Sequence, residues 1–204
     1  MSIYNTGSVR VKVGSQNVRG ASTDFSTYVT VGDLFRLTSD SVYYDVAAVV
    51  NATNLTLSGR YANTNHETGR TENVASANTA TRMYSFTLSN TPVIQNKVSI
   101  NASIEKFTDD GAGVLTGDGT PAGSGSVDYD TGSVSITLGT DLTATVNVVA
   151  SYNSGDTLNA MPYQVVTDFT SHYNLPEMGL NDTQFQYLYT KGQSTYRIGH
   201  PQLR

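Results

Sequence analysis

Alternation of apolar and polar residues over positions 84–152 is the feature that most constrains the fold of this chain. The last such run places Val146, Val148, Ala150 and Tyr152 at every second position. A period of two puts one face of a strand in a core and leaves the other face in solvent. Residues 130–132, Asp-Thr-Gly, lie between two alternating runs and are typical of a hairpin turn. We therefore expect residues 82–153 to form an antiparallel β-domain, with enough strands for a small two-sheet sandwich.

Residues 1–62 show a second series of short strand patterns. Val9, Val11 and Val13 alternate with polar residues, and the run 42–50 is rich in Val and Tyr. Turn-forming residues separate these runs, as Gly14 and its neighbours do after the first. Short strands at this spacing predict a small β-barrel or sandwich, so the fold class is all-β.

Residues 63–81 contain almost no large apolar side chain, with Val74 as the exception. A segment of this composition cannot bury enough surface to fold alone, so we expect a linker or long surface loop. That expectation divides the chain into a first domain over 1–62 and a second over 82–153.

Residues 154–204 differ in composition from both domains, because prolines and tyrosines are frequent there. We expect an irregular, extended C-terminal docking arm. It would contain one short helix over 183–189, capped by Asn181 or Asp182. The large side chains of the arm need burial, and we expect a neighbouring subunit to provide it. The alternative is that the arm folds back on the sandwich of its own chain. The predicted interface residues are Phe169, Tyr173, Leu175, Phe185, Leu188, Tyr189 and Tyr196.

Charge and cysteine content limit the partners. The formal net charge is −5 and no basic run occurs, which argues against nucleic acid and against anionic membranes as partners. Cysteine is absent, so disulfides and thiolate metal sites are excluded. The N-terminus shows no signal-peptide pattern and no apolar run is long enough to span a membrane. We expect synthesis in the cytoplasm.

Motifs for chemistry are weak throughout the chain. His66, His172 and His200 are far apart in sequence, and no Gly-x-Ser-x-Gly elbow occurs. The acidic residues around the loop 109–119 could attract calcium, but no Glu closes an EF-hand pattern. Asp and Gly are also ordinary turn residues. We expect no catalytic residue, no metal and no cofactor, and hence no enzyme.

Two stretches resemble modules of tailed-bacteriophage particles. Residues 84–152, with the glycine-rich loop 109–119 and the segment 125–134, resemble an immunoglobulin-like β-module of virion proteins. In the first unit, a recurrent phage-particle module is similar at Gly7-Ser8-Val9, Val31-Gly32-Asp33-Leu34-Phe35 and Tyr44-Asp45-Val46. Segments 168–170 and 173–177 resemble parts found near the C-termini of phage tail and fibre proteins.

The resemblance implies a non-enzymatic structural component of a virion, placed in the neck or tail. Its partners would be other virion proteins (portal or neck, tail, or major capsid protein) and further copies of itself in a homo-oligomer. A capsid decoration or head-fibre protein is an alternative. A carbohydrate-binding receptor-recognition module is another, because the chain has 13 tyrosines and exposed tyrosines suit glycans.

Overall fold

The computed structural model describes residues 2–167, and over these residues the chain is all-β, which confirms the predicted fold class. Sixteen strands form two antiparallel sheets of eight strands each. The strands are β1 Ser2–Tyr4, β2 Ser8–Lys12, β3 Asn17–Ala21, β4 Leu34–Leu37, β5 Tyr44–Asn51, β6 Asn54–Leu57, β7 Glu67–Ala77, β8 Met83–Thr87, β9 Ser99–Asn101, β10 Lys106–Asp109, β11 Val114–Gly117, β12 Ser124–Val127, β13 Ser133–Thr137, β14 Val146–Gly155, β15 Thr157–Met161 and β16 Tyr163–Thr167.

The first sheet has the strand order β1-β16-β4-β5-β6-β3-β2-β15 and curls into a nearly closed barrel. Strands β15 and β16 are separated by Pro162 alone. Met161 pairs with Val9 on β2, whereas Tyr163 pairs with Leu37 on β4. The continuous run β15–β16 therefore joins the two ends of the sheet and encloses a core. That core contains Val9, Val11, Val13, Val18, Phe25, Phe35, Leu37, Val46, Leu55, Leu57, Tyr61, Tyr163 and Val165, among others.

Two short helices lie in the connections of this barrel. The one-turn helix α1, Phe25–Tyr28, buries Phe25, whose ring centroid lies 5.8 Å from that of Tyr163. A 3₁₀ turn, Thr64–His66, leads out of the barrel into β7. Edge-to-face aromatic contacts such as Phe25–Tyr163 add to the energy of burial and help fix the relative position of α1 and β16.

The second sheet has the order β7-β14-β9-β10-β11-β12-β13-β8. Its buried side chains form a separate core, in which Ile100, Phe107, Leu115, Ile136 and Val148 are fully buried. Hydrogen bonding runs without interruption through all eight strands, where the sequence suggested two packed sheets over 82–153. The sheet also begins before that range, since its edge strand β7 starts at residue 67.

The expected linker or long loop over 63–81 is wrong for most of its length, because β7 occupies residues 67–77. This strand pairs with β14 from Glu67↔Gly155 to Ala77↔Val146, with one irregularity. Backbone hydrogen bonds to a long neighbour stabilise an edge strand, and only one face of it needs apolar side chains. Ala77 is buried and Val74 packs on the core, which suffices at the edge.

The expectation of an extended arm over 154–204 is wrong for residues 154–167. These residues complete β14 and form β15 and β16, and Tyr163 and Val165 are at most 1% exposed in the barrel core. The start of the tail therefore packs into the barrel of its own chain, and neither a neighbouring subunit nor the sandwich expected over 82–153 holds β15 and β16. Residues 168–204, with the helix expected over 183–189, lie outside the described residues. Among residues 2–167, no helix is long and apolar enough to cross a membrane.

Candidate functional site

None of the predicted interface residues can be placed, because all seven lie between residues 168 and 204 and thus outside the described residues. The same is true of His172 and His200. His66 is half-buried at the end of the 3₁₀ turn, and its carbonyl oxygen accepts a hydrogen bond from the backbone N–H of Asp156 at 2.9 Å. Its backbone thus ties the start of β7 to the connection between β14 and β15.

The carboxylates considered for calcium cap turns instead. Asp110 accepts hydrogen bonds from the backbone N–H groups of Ala112 and Val114 at 2.7 and 3.1 Å. These bonds hold the pKa of Asp110 below its usual value. Asp109 accepts the N–H of Gly111 at 3.0 Å. Both side chains therefore stabilise the β10–β11 turn, as Asp does in Asx turns.

Asp109 also joins neighbouring turns through a tyrosine. The hydroxyl of Tyr129 donates to Asp109 Oδ1 at 2.5 Å and accepts the N–H of Gly113 at 2.9 Å. Burial raises the pKa of Tyr129, and the Asp109 carboxylate raises it further, so the hydroxyl stays protonated and donates. The β10–β11 and β12–β13 turns are thereby locked together at one end of the second sheet.

Asp118 lies at the opposite end of the β10–β11 hairpin from Asp109 and Asp110. It follows Gly117, which pairs with Phe107, whereas Asp109 pairs with Leu115. Its carboxylate accepts the backbone N–H of Lys106 at 2.7 Å. The three acidic residues therefore do not converge. Within residues 2–167, no three His, Cys, Asp or Glu residues are grouped so that they could hold a metal ion.

The most deeply buried carboxylate among residues 2–167 is that of Glu105, which is only 3% exposed. Its Oε1 accepts hydrogen bonds from the backbone N–H groups of Gly123 and, at 3.3 Å, Gly119. Its Oε2 accepts the N–H of Gly139 at 2.9 Å. A buried carboxylate is tolerated when backbone donors satisfy it in this way. Glu105 thus fixes two loops, 118–123 and 138–145, to one point.

Glycines make room for this carboxylate. A Cβ atom added at Gly119 would lie 2.8 Å from Glu105 Oε1, and Gly117 and Gly123 would be crowded in the same way. Only residues without a side chain let the loop backbone approach a carboxylate this closely. The Gly-Asp-Gly sequence 117–119, which resembles an ordinary turn, is therefore required by the side chain of Glu105.

The loops that Glu105 holds form a surface that we call the distal platform, composed of residues 102–105, 118–123 and 138–145. Leu138 and Leu142 anchor the third segment in the core, at 1% and 4% exposure. The outward side chains are small or uncharged for the most part, and they include Thr120, Pro121 and Thr143, all exposed. An anchored loop surface of this kind is suited to binding, because little conformational entropy is lost on contact.

The distal platform lies at the end of the second sheet that points away from the barrel. The opposite end contacts the barrel through Arg60, whose guanidinium forms a two-pronged ion pair with Asp130 at 2.6 and 2.9 Å. Arg60 also donates to the carbonyl oxygen of Gly14, and Lys12 donates to that of Thr91. These contacts tie the two sheets together, so the platform is presented at a defined position relative to the barrel.

Neither Glu105 nor the Arg60–Asp130 pair was predicted from the sequence. The partners of Glu105 are backbone N–H groups, which leave no mark except the glycines around residue 119. Arg60 and Asp130 are 70 positions apart and belong to different sheets. The spacing of the glycines does not identify Glu105 as their partner, and the sequence does not show which acidic residue pairs with Arg60. Both contacts become visible only when the fold is known.

Comparison of the chain with protein-family models, with curated proteins and with solved structures finds no match.

Proposed function

We propose that this chain is a non-enzymatic structural component of a tailed-phage virion, in the neck or tail region. It would act by subunit–subunit binding in a symmetric assembly. The observation that carries the proposal is the distal platform, where a buried carboxylate orders three loop segments whose exposed side chains are mostly small or uncharged. Its partners would be other virion proteins and further copies of this chain. The proposal also rests on the sequence resemblances of both units to phage-particle modules, including the immunoglobulin-like assignment of residues 82–153.

The use of ionisable side chains supports a binding role. Glu105, Asp109, Asp110 and Asp118 all accept backbone N–H groups, which is a structural use of a carboxylate. A general acid or base instead needs a carboxylate directed towards a substrate. The platform side chains suit contact with another protein, since the cores of protein interfaces are depleted in charge.

The proposal is tested on particles of the phage that encodes the chain. Quantitative mass spectrometry should detect the chain at a copy number that matches a virion symmetry, and labelling in electron micrographs should place it at the neck or tail. Labels spread over the head would favour the capsid decoration alternative. Absence of the chain from purified particles would refute the proposal.

The platform itself is tested by substitution. Ala122→Arg puts a bulky charge on the exposed platform loop, whereas Ser85→Arg puts the same side chain on the exposed outer face of β8. We expect the first variant to fold but to be depleted from particles, and the second to be incorporated normally. Equal incorporation of both variants would show that the platform is not the contact. Retention of the isolated chain on host glycans, lost in Ala122→Arg alone, would instead favour the receptor-recognition alternative.

A further inference from the structure

Two arginines lie directly opposite each other on the outer face of the barrel. Arg10 on β2 and Arg19 on β3 are paired in the antiparallel register, and both side chains are exposed. Directly opposed residues have Cβ atoms about 5 Å apart, and like charges in such pairs destabilise a sheet. The fold of an isolated chain therefore gains nothing from this pair.

No group of the described chain compensates these two charges. The other four arginines between residues 2 and 167 have polar partners: Arg36 binds the carbonyl oxygen of Asp40, Arg60 binds Asp130, Arg70 binds Ser154 and Arg82 binds Asp141. Arg10 and Arg19 have none within that part of the chain. The cross-strand neighbour of Arg19 on its other side is Asn54, which is neutral.

The negative charge of the protein is concentrated in the other sheet. Residues 67–155 hold nine acidic and four basic residues, which leaves −5. The barrel residues, 2–66 and 156–167, hold five of each and are neutral. The net charge of the whole chain thus resides in the second sheet, while the barrel presents an uncompensated arginine pair. The arginine pair of the barrel and the second sheet therefore carry opposite charge.

Two exposed carboxylates of the second sheet, Asp110 and Asp128, form what we call the acidic rim. They lie in the neighbouring β10–β11 and β12–β13 turns, and both are exposed. Backbone N–H groups of Thr131 and Asp130 hold the pKa of Asp128 below its usual value, as Ala112 and Val114 do for Asp110. Within residues 2–167, neither carboxylate lies within 4 Å of a cationic group, although the charge of Arg60 also contributes to the lowered pKa of Asp128.

We propose that the Arg10–Arg19 pair binds the acidic rim of a second copy of this chain. The contact is head-to-tail, so each copy uses its arginine pair towards one neighbour and its rim towards the other. A contact of this type closes into a ring or continues as a filament. This proposal rests on the proposed function in one respect: the head-to-tail contact would be the one that builds the homo-oligomer of the virion. The contact itself is measured on the purified chain, without particles.

The first test is association of the full chain, measured by sedimentation equilibrium over a range of salt. We expect concentration-dependent association that weakens as salt rises, since exposed ion pairs are screened. Arg10→Glu should weaken association by about tenfold or more. The same variant should raise the Tm of the monomer, because it converts a like-charge pair into an opposite-charge pair. Lys106→Glu, an equal charge change at the exposed start of β10 and thus at the end of that strand away from the rim, is the matched control and should leave association unchanged.

The second test is complementation between two variants. Arg10→Glu/Arg19→Glu lacks the arginine pair but keeps the rim. Asp110→Asn/Asp128→Asn lacks the rim charge but keeps the arginines, and Asn retains the oxygen that caps each turn. Neither variant should associate alone, whereas an equimolar mixture should form a heterodimer that does not grow further.

Three results would overturn the contact: a chain that is monomeric at low salt, a mixture that stays monomeric, or equal weakening by Lys106→Glu. Any of these could occur while the chain is still found in virions, so failure here is distinguishable from failure of the proposed function.

Discussion

Replacement of Glu105 by Gln should destabilise the second sheet strongly although it changes only one atom and one charge. An amide offers a single acceptor oxygen. If that oxygen keeps the hydrogen bonds from Gly119 and Gly123, the amide nitrogen faces the N–H of Gly139. In the parent protein the Gly139 nitrogen lies 2.9 Å from Glu105 Oε2. One charge-assisted hydrogen bond is lost, and two donors then oppose each other in a site where the parent side chain is 3% exposed.

The magnitude follows from these contacts. A hydrogen bond to a charged group is worth about 1.5–3 kcal/mol, and an orphaned buried donor costs a similar amount. Loss of the buried charge recovers part of this. We expect a net loss of about 2–3 kcal/mol in the free energy of unfolding. For a chain of this size that corresponds to a Tm lower by roughly 4–12 °C.

Urea unfolding monitored by tyrosine fluorescence and by circular dichroism measures this loss. Asp141→Asn is the matched control, because Asp141 is 81% exposed and its ion pair within residues 2–167 is to Arg82, which is half-exposed. That variant should change stability by less than about 0.5 kcal/mol. A Glu105→Gln variant as stable as Asp141→Asn would refute the view that the carboxylate orders the distal platform.

Three further predictions concern other parts of the fold. A chain that ends after residue 159 should lose the barrel by circular dichroism, because it lacks β16 with Tyr163 and Val165, whereas a chain that ends after residue 167 should keep it. Asp130→Asn should cost about 0.5–1 kcal/mol of stability at low salt and less at high salt, because the ion pair to Arg60 is partly exposed; denaturation at two salt concentrations tests the difference. The pKa values of Asp110 and Asp128 are lower in the folded than in the unfolded chain, so the stabilisation that these carboxylates give is present above pH ~4 and disappears as pH falls below it. The Tm measured between pH 5 and 2 should therefore fall less steeply in Asp110→Asn/Asp128→Asn than in the parent protein. Equal slopes would contradict this prediction.

The alternation of apolar and polar residues predicts strands that bury one face against a core, and for such strands the prediction was correct. Val146, Val148, Ala150 and Tyr152 lie on β14, and the last three are buried. The same criterion missed β7, which is held chiefly by backbone hydrogen bonds to β14 and has few apolar side chains to signal it. A polar edge strand and a surface loop have nearly the same composition, so residues 67–77 could not be distinguished from a linker by sequence alone.

The second miss has a different cause. Residues 157–167 contain Pro162 and lie far from the strands that they pair with, since Val166 pairs with Ile3 and with Leu34. Pairing over such separations leaves no local pattern. The closure of the barrel by β15 and β16 is a property of the whole chain, as is the cluster of backbone donors around Glu105.

The pairing of Ser2 with Thr167 has a consequence for biosynthesis. All strands of the second sheet have left the ribosome once residue 155 is free, whereas the barrel lacks two of its eight strands until residue 167 emerges. The second sheet can therefore fold first, while β1–β6 wait as an open, incomplete sheet. Exposed edges of this kind are prone to intermolecular pairing. The vulnerable interval for misassembly during translation is thus the synthesis of residues 58–167, and it ends when β16 inserts between β1 and β4.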